Sequence, residues 1–188
     1  MRVIAGSRRS LPLQSVPGTD TRPTTDRIKE TLFNMLAPDI PGCRFLDLFA
    51  GSGGIGIEAL SRGASFCCFV EKNPKALRVI AANLDFTGFL EQSKVVRGDV
   101  LKVLAAGNPD EPYDLIFLDP PYAMGAEEET VRALCRNGWM RKNALIVVEA
   151  AVETDFSWTE KTDCEIIKNK QYKTNRHVFI RRITSEQR

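Results

Sequence analysis

One histidine, His177, occurs in the whole sequence, in a strand-like run near its end. That excludes histidine-dependent triads and multi-histidine metal sites, and His177 reads as a structural residue. Cysteine is present but unpatterned: Cys43, Cys67, Cys68, Cys135 and Cys164 form no C-x-x-C and no zinc spacing. An odd count, with two adjacent cysteines in an apolar run, reads as buried free thiols in a reducing compartment. No run approaches the ~18 apolar residues of a membrane span, and there is no internal repeat, low-complexity tract or interdomain linker. Ser7-Arg8-Arg9-Ser10-Leu11 superficially matches a twin-arginine export signal. Pro12, Gln14, Pro17, Gly18 and Asp20 follow, however, where that signal requires an apolar segment. Export is therefore rejected, and the expectation is a cytoplasmic protein with no membrane partner and no metal.

What is present suits one domain over residues 1–188, enough chain to bury ~70% of its unfolded surface. The net charge of +2 conceals an uneven distribution. Residues 1–36 carry six Lys/Arg against three Asp/Glu, residues 37–160 twelve against eighteen, and residues 161–188 eight against three. Basic ends flank an acidic middle, so a polyanion can be held by the ends and presented to the centre. Basic termini are also common as plain solvated surface, and charge alone does not separate the two.

Two short apolar stretches, Arg2–Ala5 and Leu11–Leu13, around Gly6-Ser7-Arg8-Arg9-Ser10 predict a β-hairpin with a basic tip, within residues 1–21. Thr24 or Thr25 is placed to cap a helix whose apolar positions are Ile28, Leu32, Phe33 and Leu36. From Arg44, apolar strands at Phe45–Phe49, Phe66–Val70, Val95–Arg97, Leu115–Leu118 and Leu145–Val148 alternate with helical patterns. That rhythm predicts an α/β fold, a parallel sheet covered on both faces. Glu165–Tyr172 and His177–Arg182, on either side of Lys173-Thr174-Asn175, read as a closing antiparallel hairpin.

The chain is organised around Asp47-Leu48-Phe49-Ala50-Gly51-Ser52-Gly53-Gly54-Ile55-Gly56, where a strand breaks into a glycine-dense turn and a helix. Gly51, Gly53 and Gly56 fit G-x-G-x-x-G, whose glycines allow a tight turn and close approach of backbone to ligand. Alone this string is weak. Glu71, twenty positions after Gly51 at the end of the next apolar run, supplies the carboxylate that grips ribose hydroxyls. Either a dinucleotide or S-adenosylmethionine satisfies these residues. Asp47, Glu71, Asp99 and Asp119 all stand at predicted strand ends, and ligands of open α/β sheets bind outside those ends.

Asp119-Pro120-Pro121-Tyr122 chooses between the ligands. Prolines do end strands, but two in succession also stiffen the backbone and leave carbonyls as acceptors without competing N–H groups. A carboxylate beside a carbonyl accepts both hydrogens of an exocyclic amine, and Tyr122 offers a face on which a base stacks. Two acceptors favour a pyramidal nitrogen whose lone pair can attack an activated methyl group. The string resembles the (D/N)-P-P-(Y/F) motif of class I methyltransferases that act on exocyclic or amide nitrogens.

Further residues narrow the resemblance. Arg22-Pro-Thr-Thr-Asp-Arg-Ile-Lys-Glu-Thr-Leu-Phe-Asn34, with Asp47-Leu-Phe-Ala-Gly-Ser-Gly53 and Glu58-Ala-Leu-Ser-Arg-Gly-Ala64, is similar to the RsmD family, which methylates guanine N2 in bacterial small-subunit (16S) ribosomal RNA. The likeness runs over nearly the whole chain. It implies a seven-stranded Rossmann-like sheet, mostly parallel with a reversed last strand, and an RNA-touching N-terminal hairpin ahead of a catalytic core at 22–188. It implies S-adenosylmethionine as cofactor: Asp47 and Gly51–Gly53 on the methionine part, Glu71 on the ribose, Asp99 on the adenine amine. Ala50, Ser52, Gly56, Lys72 and Val100 are expected beside them. Asp119, Pro120 and Tyr122 are the expected catalytic set, and Arg8, Arg9, Arg22 and Arg27 the expected RNA contacts. The expected partner is small-subunit ribosomal RNA, bare or in an assembling particle, met by a monomer. An adenine-N6 methyltransferase and a non-catalytic RNA-binding or assembly factor are the alternatives. The first would need a target-recognition domain for which 188 residues leave little room; the second leaves the strand-end acids and Tyr122 without a task.

Overall fold

The computed structural model describes residues 1–17, 26–121 and 125–183. Seven strands form one sheet: β1 (Arg44–Leu48), β2 (Phe66–Glu71), β3 (Ser93–Arg97), β4 (Tyr113–Leu118), β5 (Met140–Ala151), β6 (Cys164–Gln171) and β7 (Asn175–Arg182). Their order is β3-β2-β1-β4-β5-β7-β6. The first five are parallel, and β7 runs antiparallel to both β5 and β6. After β3 the chain returns to place β4 against β1, so the order reverses there and a crevice opens at the carboxyl ends of those two strands.

Burial on both sides explains the apolar strands. Phe45, Phe69, Phe117, Val147 and Phe179 face α1 (Asp26–Met35), α2 (Gly54–Ser61) and α3 (Pro74–Thr87) through Leu32, Phe33, Ile57, Ile80 and Leu84. Their strand neighbours Leu46, Val70, Ile116, Val148 and Val178 face α4 (Val100–Ala105) and α5 (Glu127–Arg136) through Leu104, Val131 and Leu134. Side chains alternate along a strand. Asp47, Glu71, Asp119 and Glu149 each lie two positions beyond Phe45, Phe69, Phe117 and Val147. The period of two therefore carries all four acids to the α1–α3 side, at or next to the crevice.

Two expectations change in shape. β5 begins at Met140, five residues earlier than its apolar run, because Arg141, Lys142 and Asn143 are exposed and mask it. The N-terminal hairpin has one isolated bridge, Arg2 to Pro12, in place of a ladder. Much of its backbone bonding goes to α2: Ile4 and Ala5 N–H donate to the Glu58 carboxylate at 2.7 and 3.0 Å, and Ser7 N–H to Ser61 O at 2.7 Å. Gly6 (φ 83°) makes that approach possible, since a Cβ there would lie 1.8 Å from Ser61 O. Thr24 and Thr25, the expected helix caps, lie outside the described residues.

Glu58 is the hub of this packing. Fully buried on α2, it also pairs with Lys29 Nζ of α1 at 3.3 Å and with Arg62 Nε at 2.8 Å. Lys29 is pushed below the usual lysine range by burial, with Glu58 opposing the shift. Among the described residues no helix is long and apolar enough to cross a membrane, and no group of three or more His, Cys, Asp or Glu is placed to hold a metal ion.

Candidate active site

The glycine turn is held in a contorted path. Phe49, Gly51 and Gly53 all have positive φ (60°, 57° and 77°). For Phe49 this costs roughly 1–3 kcal/mol, a strain that clusters at ligand sites. Surrounding bonds hold the turn: Ala50 N–H donates to Val70 O at 3.2 Å, Gly53 N–H to Ala50 O at 2.8 Å, and Asn83 Nδ2 to Ser52 O at 3.0 Å. At Gly56 a Cβ would meet the Phe69 ring at 2.3 Å, so the third glycine lets α2 lie against β2. At Gly51 a Cβ would meet only Phe49 O, at 4.0 Å, so the space above that glycine is open to a ligand.

Two carboxylates frame this space. Glu71 accepts Gly51 N–H on Oε2 at 2.8 Å, and Lys72 and Asn73 N–H on Oε1, each at 2.8 Å. Three donors orient it, and a carboxylate has room for about one acceptance more. Asp47, 2% exposed, takes Gly56 N–H on Oδ2 at 2.9 Å. Burial pushes its carboxyl up to about 8, against the pull of that hydrogen bond and with help from Glu71. A buried acid of that kind favours a cationic neighbour. S-adenosylmethionine, with its ammonium and sulfonium, fits this chemistry and the opening above Gly51.

Asp119 follows β4 and is half-buried. Its carboxyl is raised well above the usual carboxylate range by burial, then by the charges of Glu149 and Asp47. Pairing of Leu48 with Leu118 brings the Asp-Pro-Pro string and the glycine turn to one crevice. Pro120 is buried and Pro121 exposed; Tyr122 lies outside the described residues.

Asp99 lies just ahead of α4, and its carboxylate caps no helix N–H. It meets Lys72 Nζ at 3.4 Å, both groups being exposed in part, and Val100 beside it is buried. These residues extend the crevice towards β3.

The expected RNA contacts divide. Arg8 sits beyond Ser61, the last residue of α2, which runs back from the glycine turn, so the hairpin tip reaches the opposite edge of the sheet from the crevice. There Arg8 Nε donates to Thr87 O at 2.7 Å and its guanidinium covers Phe89 at 5.4 Å. Arg9 is exposed at the same tip. Arg27, exposed in the first turn of α1, lies on the crevice side: its neighbour Asp26 pairs with Arg2 at 2.8 Å, and Met1 Sδ is 3.9 Å from Ser52 Oγ. The structure thus does not bring Arg8 and Arg9 together with Arg27. Arg22 lies outside the described residues.

One cluster was missed in the sequence. Glu149, buried near the end of β5, takes Asn175 Nδ2 on Oε1 at 2.5 Å and has His177 Nε2 at 3.2 Å from Oε2. His177 Nδ1 lies 3.3 Å from the Tyr172 hydroxyl, and its ring stands edge-on to Phe117 and Tyr172. The signal was present: Ile146-Val147-Val148-Glu149 is an apolar run ending in an acid, as at Glu71 and Asp119.

The family described as Conserved hypothetical protein 95 matches residues 1–181 of the chain. YlbH of Bacillus subtilis is 47% identical over 135 residues, 71% of each chain. The Ribosomal RNA small subunit methyltransferase D of Escherichia coli is 42% identical over 155 residues, covering 81% of this chain and 76% of that protein. Among solved structures, that of yhhF from Escherichia coli matches with a TM-score of 0.85 and 36% identity, over 98% of this chain and 99% of that one.

Proposed function

The chain belongs to the RsmD family, described as Conserved hypothetical protein 95, and we propose that its crevice methylates the exocyclic N2 amine of a guanine, with S-adenosylmethionine as donor. Membership makes the protein a methyltransferase of small-subunit ribosomal RNA. The atom, the base and the roles of individual residues are our reading.

The observation that carries it is the register of β1 and β4, which pairs Leu48 with Leu118 and so sets the Asp-Pro-Pro string beside the glycine turn, with Asp47 at the end of β1. S-adenosylmethionine supplies an electrophilic methyl on a sulfonium. Gly51 leaves room for it, while Glu71 would accept from its ribose, Asp99 would serve its adenine and Asp47 its charged part. On the substrate side the Asp119 carboxylate and the Pro120 carbonyl accept the two amine hydrogens. That holds the nitrogen pyramidal and turns its lone pair towards the methyl group. The motif would give Tyr122 the task of stacking against the base. As the new N–C bond forms and the S–C bond breaks, the nitrogen must lose a proton, and Asp119 is poised to take it because its surroundings favour the protonated acid.

A guanine inside a duplex hides N2 in the minor groove, so the target lies in a loop or is flipped out at a cost of a few kcal/mol. Arg27, exposed in the first turn of α1, would hold the neighbouring phosphates, with Arg22 close to it in sequence. Arg8 and Arg9 would touch RNA only at the far edge. A monomer in the cytoplasm acting on ribosomal RNA, bare or in an assembling particle, completes the reading.

The test is to incubate the protein with labelled S-adenosylmethionine and ribosomal RNA from cells lacking it, then map the modified base. A single labelled guanine, methylated at N2 and absent with Asp119→Ala, is expected. Label on adenine N6, or none on the RNA, would overturn the proposal.

A further inference from the structure

Guanine differs from the other bases with exocyclic amines in one respect: the ring nitrogen beside its amine carries a hydrogen. Adenine N1 and cytosine N3 are bare acceptors at the corresponding place. A crevice with only Asp119 and the Pro120 carbonyl would accept the two amine hydrogens of any of the three. Selecting guanine takes one more acceptor, on the Watson–Crick side of the amine.

Glu149 stands where such an acceptor is needed. Leu118 and Val148 are register partners in β4 and β5, so Asp119 and Glu149, the next residue of each segment, are neighbours at the same edge of the sheet. Among the charges acting on Asp119, that of Glu149 is the largest. The residue is 5% exposed, and β7 holds its carboxylate from behind. Asn175 Nδ2 donates to Oε1 at 2.5 Å, and His177 Nε2 faces Oε2 at 3.2 Å. The Tyr172 hydroxyl at His177 Nδ1, 3.3 Å away, completes a consistent chain of donors. With Nε2–H donating to Glu149, the Tyr172 O–H donates to Nδ1; this tautomer is assigned from the hydrogen-bond pattern. A carboxylate offers about four lone-pair directions. Two are taken here, and each oxygen keeps one. Burying a second acid beside Asp119 is unfavourable, and an apolar residue would fill the same space at lower electrostatic cost. The arrangement makes sense if a donor enters between the two acids.

We propose that Glu149 reads the base, accepting the ring N1–H of guanine while Asp119 takes the neighbouring amine. Adenine and cytosine would turn a ring lone pair towards the Glu149 carboxylate and be repelled, so the residue selects for one base and against the others. His177 and Asn175 are its positioning residues. The inference rests on the guanine-N2 reading of the crevice and adds the group that enforces it.

The probe is a pair of target RNAs, one with guanine and one with 2-aminopurine at the modified position. 2-Aminopurine keeps the amine on C2 but has no hydrogen on N1. Single-turnover transfer from labelled S-adenosylmethionine is measured for the parent, Glu149→Gln and Glu149→Asp, each first checked for folding by thermal melting and for cofactor affinity. The parent should favour guanine by roughly 10- to 100-fold, the usual worth of a hydrogen bond to a charged group. Glu149→Gln should shrink that preference at least severalfold with cofactor affinity unchanged, because its amide can turn an N–H to the bare N1. Glu149→Asp keeps the charge but withdraws it, and should move the same way, so loss of one variant to misfolding leaves the other. A parent without preference, or a preference intact in both variants, overturns the assignment of Glu149. No transfer to either RNA by the parent overturns instead the guanine-N2 reading on which it rests.

Discussion

The backbone N–H of Gly51 donates to Oε2 of Glu71 at 2.8 Å, tying the glycine turn after β1 to the end of β2. The carboxylate proposed to accept the ribose is thus also a brace for the loop above which the cofactor is expected. Glu71→Ala removes a charged acceptor worth ~1.5–3 kcal/mol and should weaken S-adenosylmethionine binding by roughly 10- to 100-fold. Calorimetry checks it, with NAD as a control that should not bind. An unchanged affinity would remove Glu71 from the site.

Asp47 should make the fold less stable as pH rises. Its carboxyl lies at about 8 in the folded protein and at ~3.9 in the unfolded chain. Between those values the native state keeps a proton that the unfolded state has released, so stability falls with pH, by an amount on the order of several kcal/mol in full. Asp47→Asn, which keeps an acceptor for Gly56 N–H, should flatten that fall. Chemical unfolding at pH 5 and pH 8 decides it. Equal pH dependence in parent and variant would show that Asp47 is ionised in the fold.

Asp119 should set the pH dependence of transfer. Its carboxyl is raised by burial and by Glu149 and Asp47, and only the ionised form accepts both the amine hydrogen and its proton. Single-turnover rates should therefore climb with pH, well above the range in which a free carboxylate titrates. Asp119→Asn should lose most of the rate together with that climb, while cofactor affinity stays near the parent value. A rate flat from pH 5 to 9 in the parent would count against the role.

Glu58→Ala should be severely destabilising. It strands Lys29 as a buried cation and leaves Ile4 and Ala5 N–H without their acceptor. Breaking a buried pair in this way costs about 3–5 kcal/mol, readable as a lower denaturant midpoint. Removal of residues 1–15 would strip Glu58 and Lys29 of their hairpin partners and take Val3 and Leu13 out of the core. RNA binding by the hairpin is therefore better tested by point substitution than by truncation.

Arg27→Ala should reduce RNA affinity, and the slope of log K against log salt by ~0.7–0.9 for one lost phosphate contact. Arg8→Ala should act mainly on stability, since Arg8 is bonded to Thr87 O and stacked over Phe89. Filter binding across a salt series separates them. Equal slopes for the parent and Arg27→Ala would show that RNA approaches by another face.

Local patterns sufficed for much of this protein. The period of two in apolar strands, the glycine spacing at 51, 53 and 56, and acids at strand ends are short-range features. They were enough for the parallel α/β sheet and for the placing of Asp47, Glu71 and Asp119 at or next to its strand ends. The cofactor-side bonds they imply link residues through strand register, which the topology rule for open sheets supplies without coordinates. The tertiary structure alone decided three other matters. It docked the hairpin on α2 with its basic tip away from the crevice, because Glu58 and Ser61 capture backbone groups 53 to 56 residues distant. It extended β5 back to Met140 through exposed polar residues, since pairing with β4 needs backbone and not side-chain character. And it set His177 behind Glu149 across an antiparallel pair, Glu149 to His177, that no local spacing encodes. A lone histidine in a strand looks structural until the strand beside it is known, and here that strand ends next to Asp119.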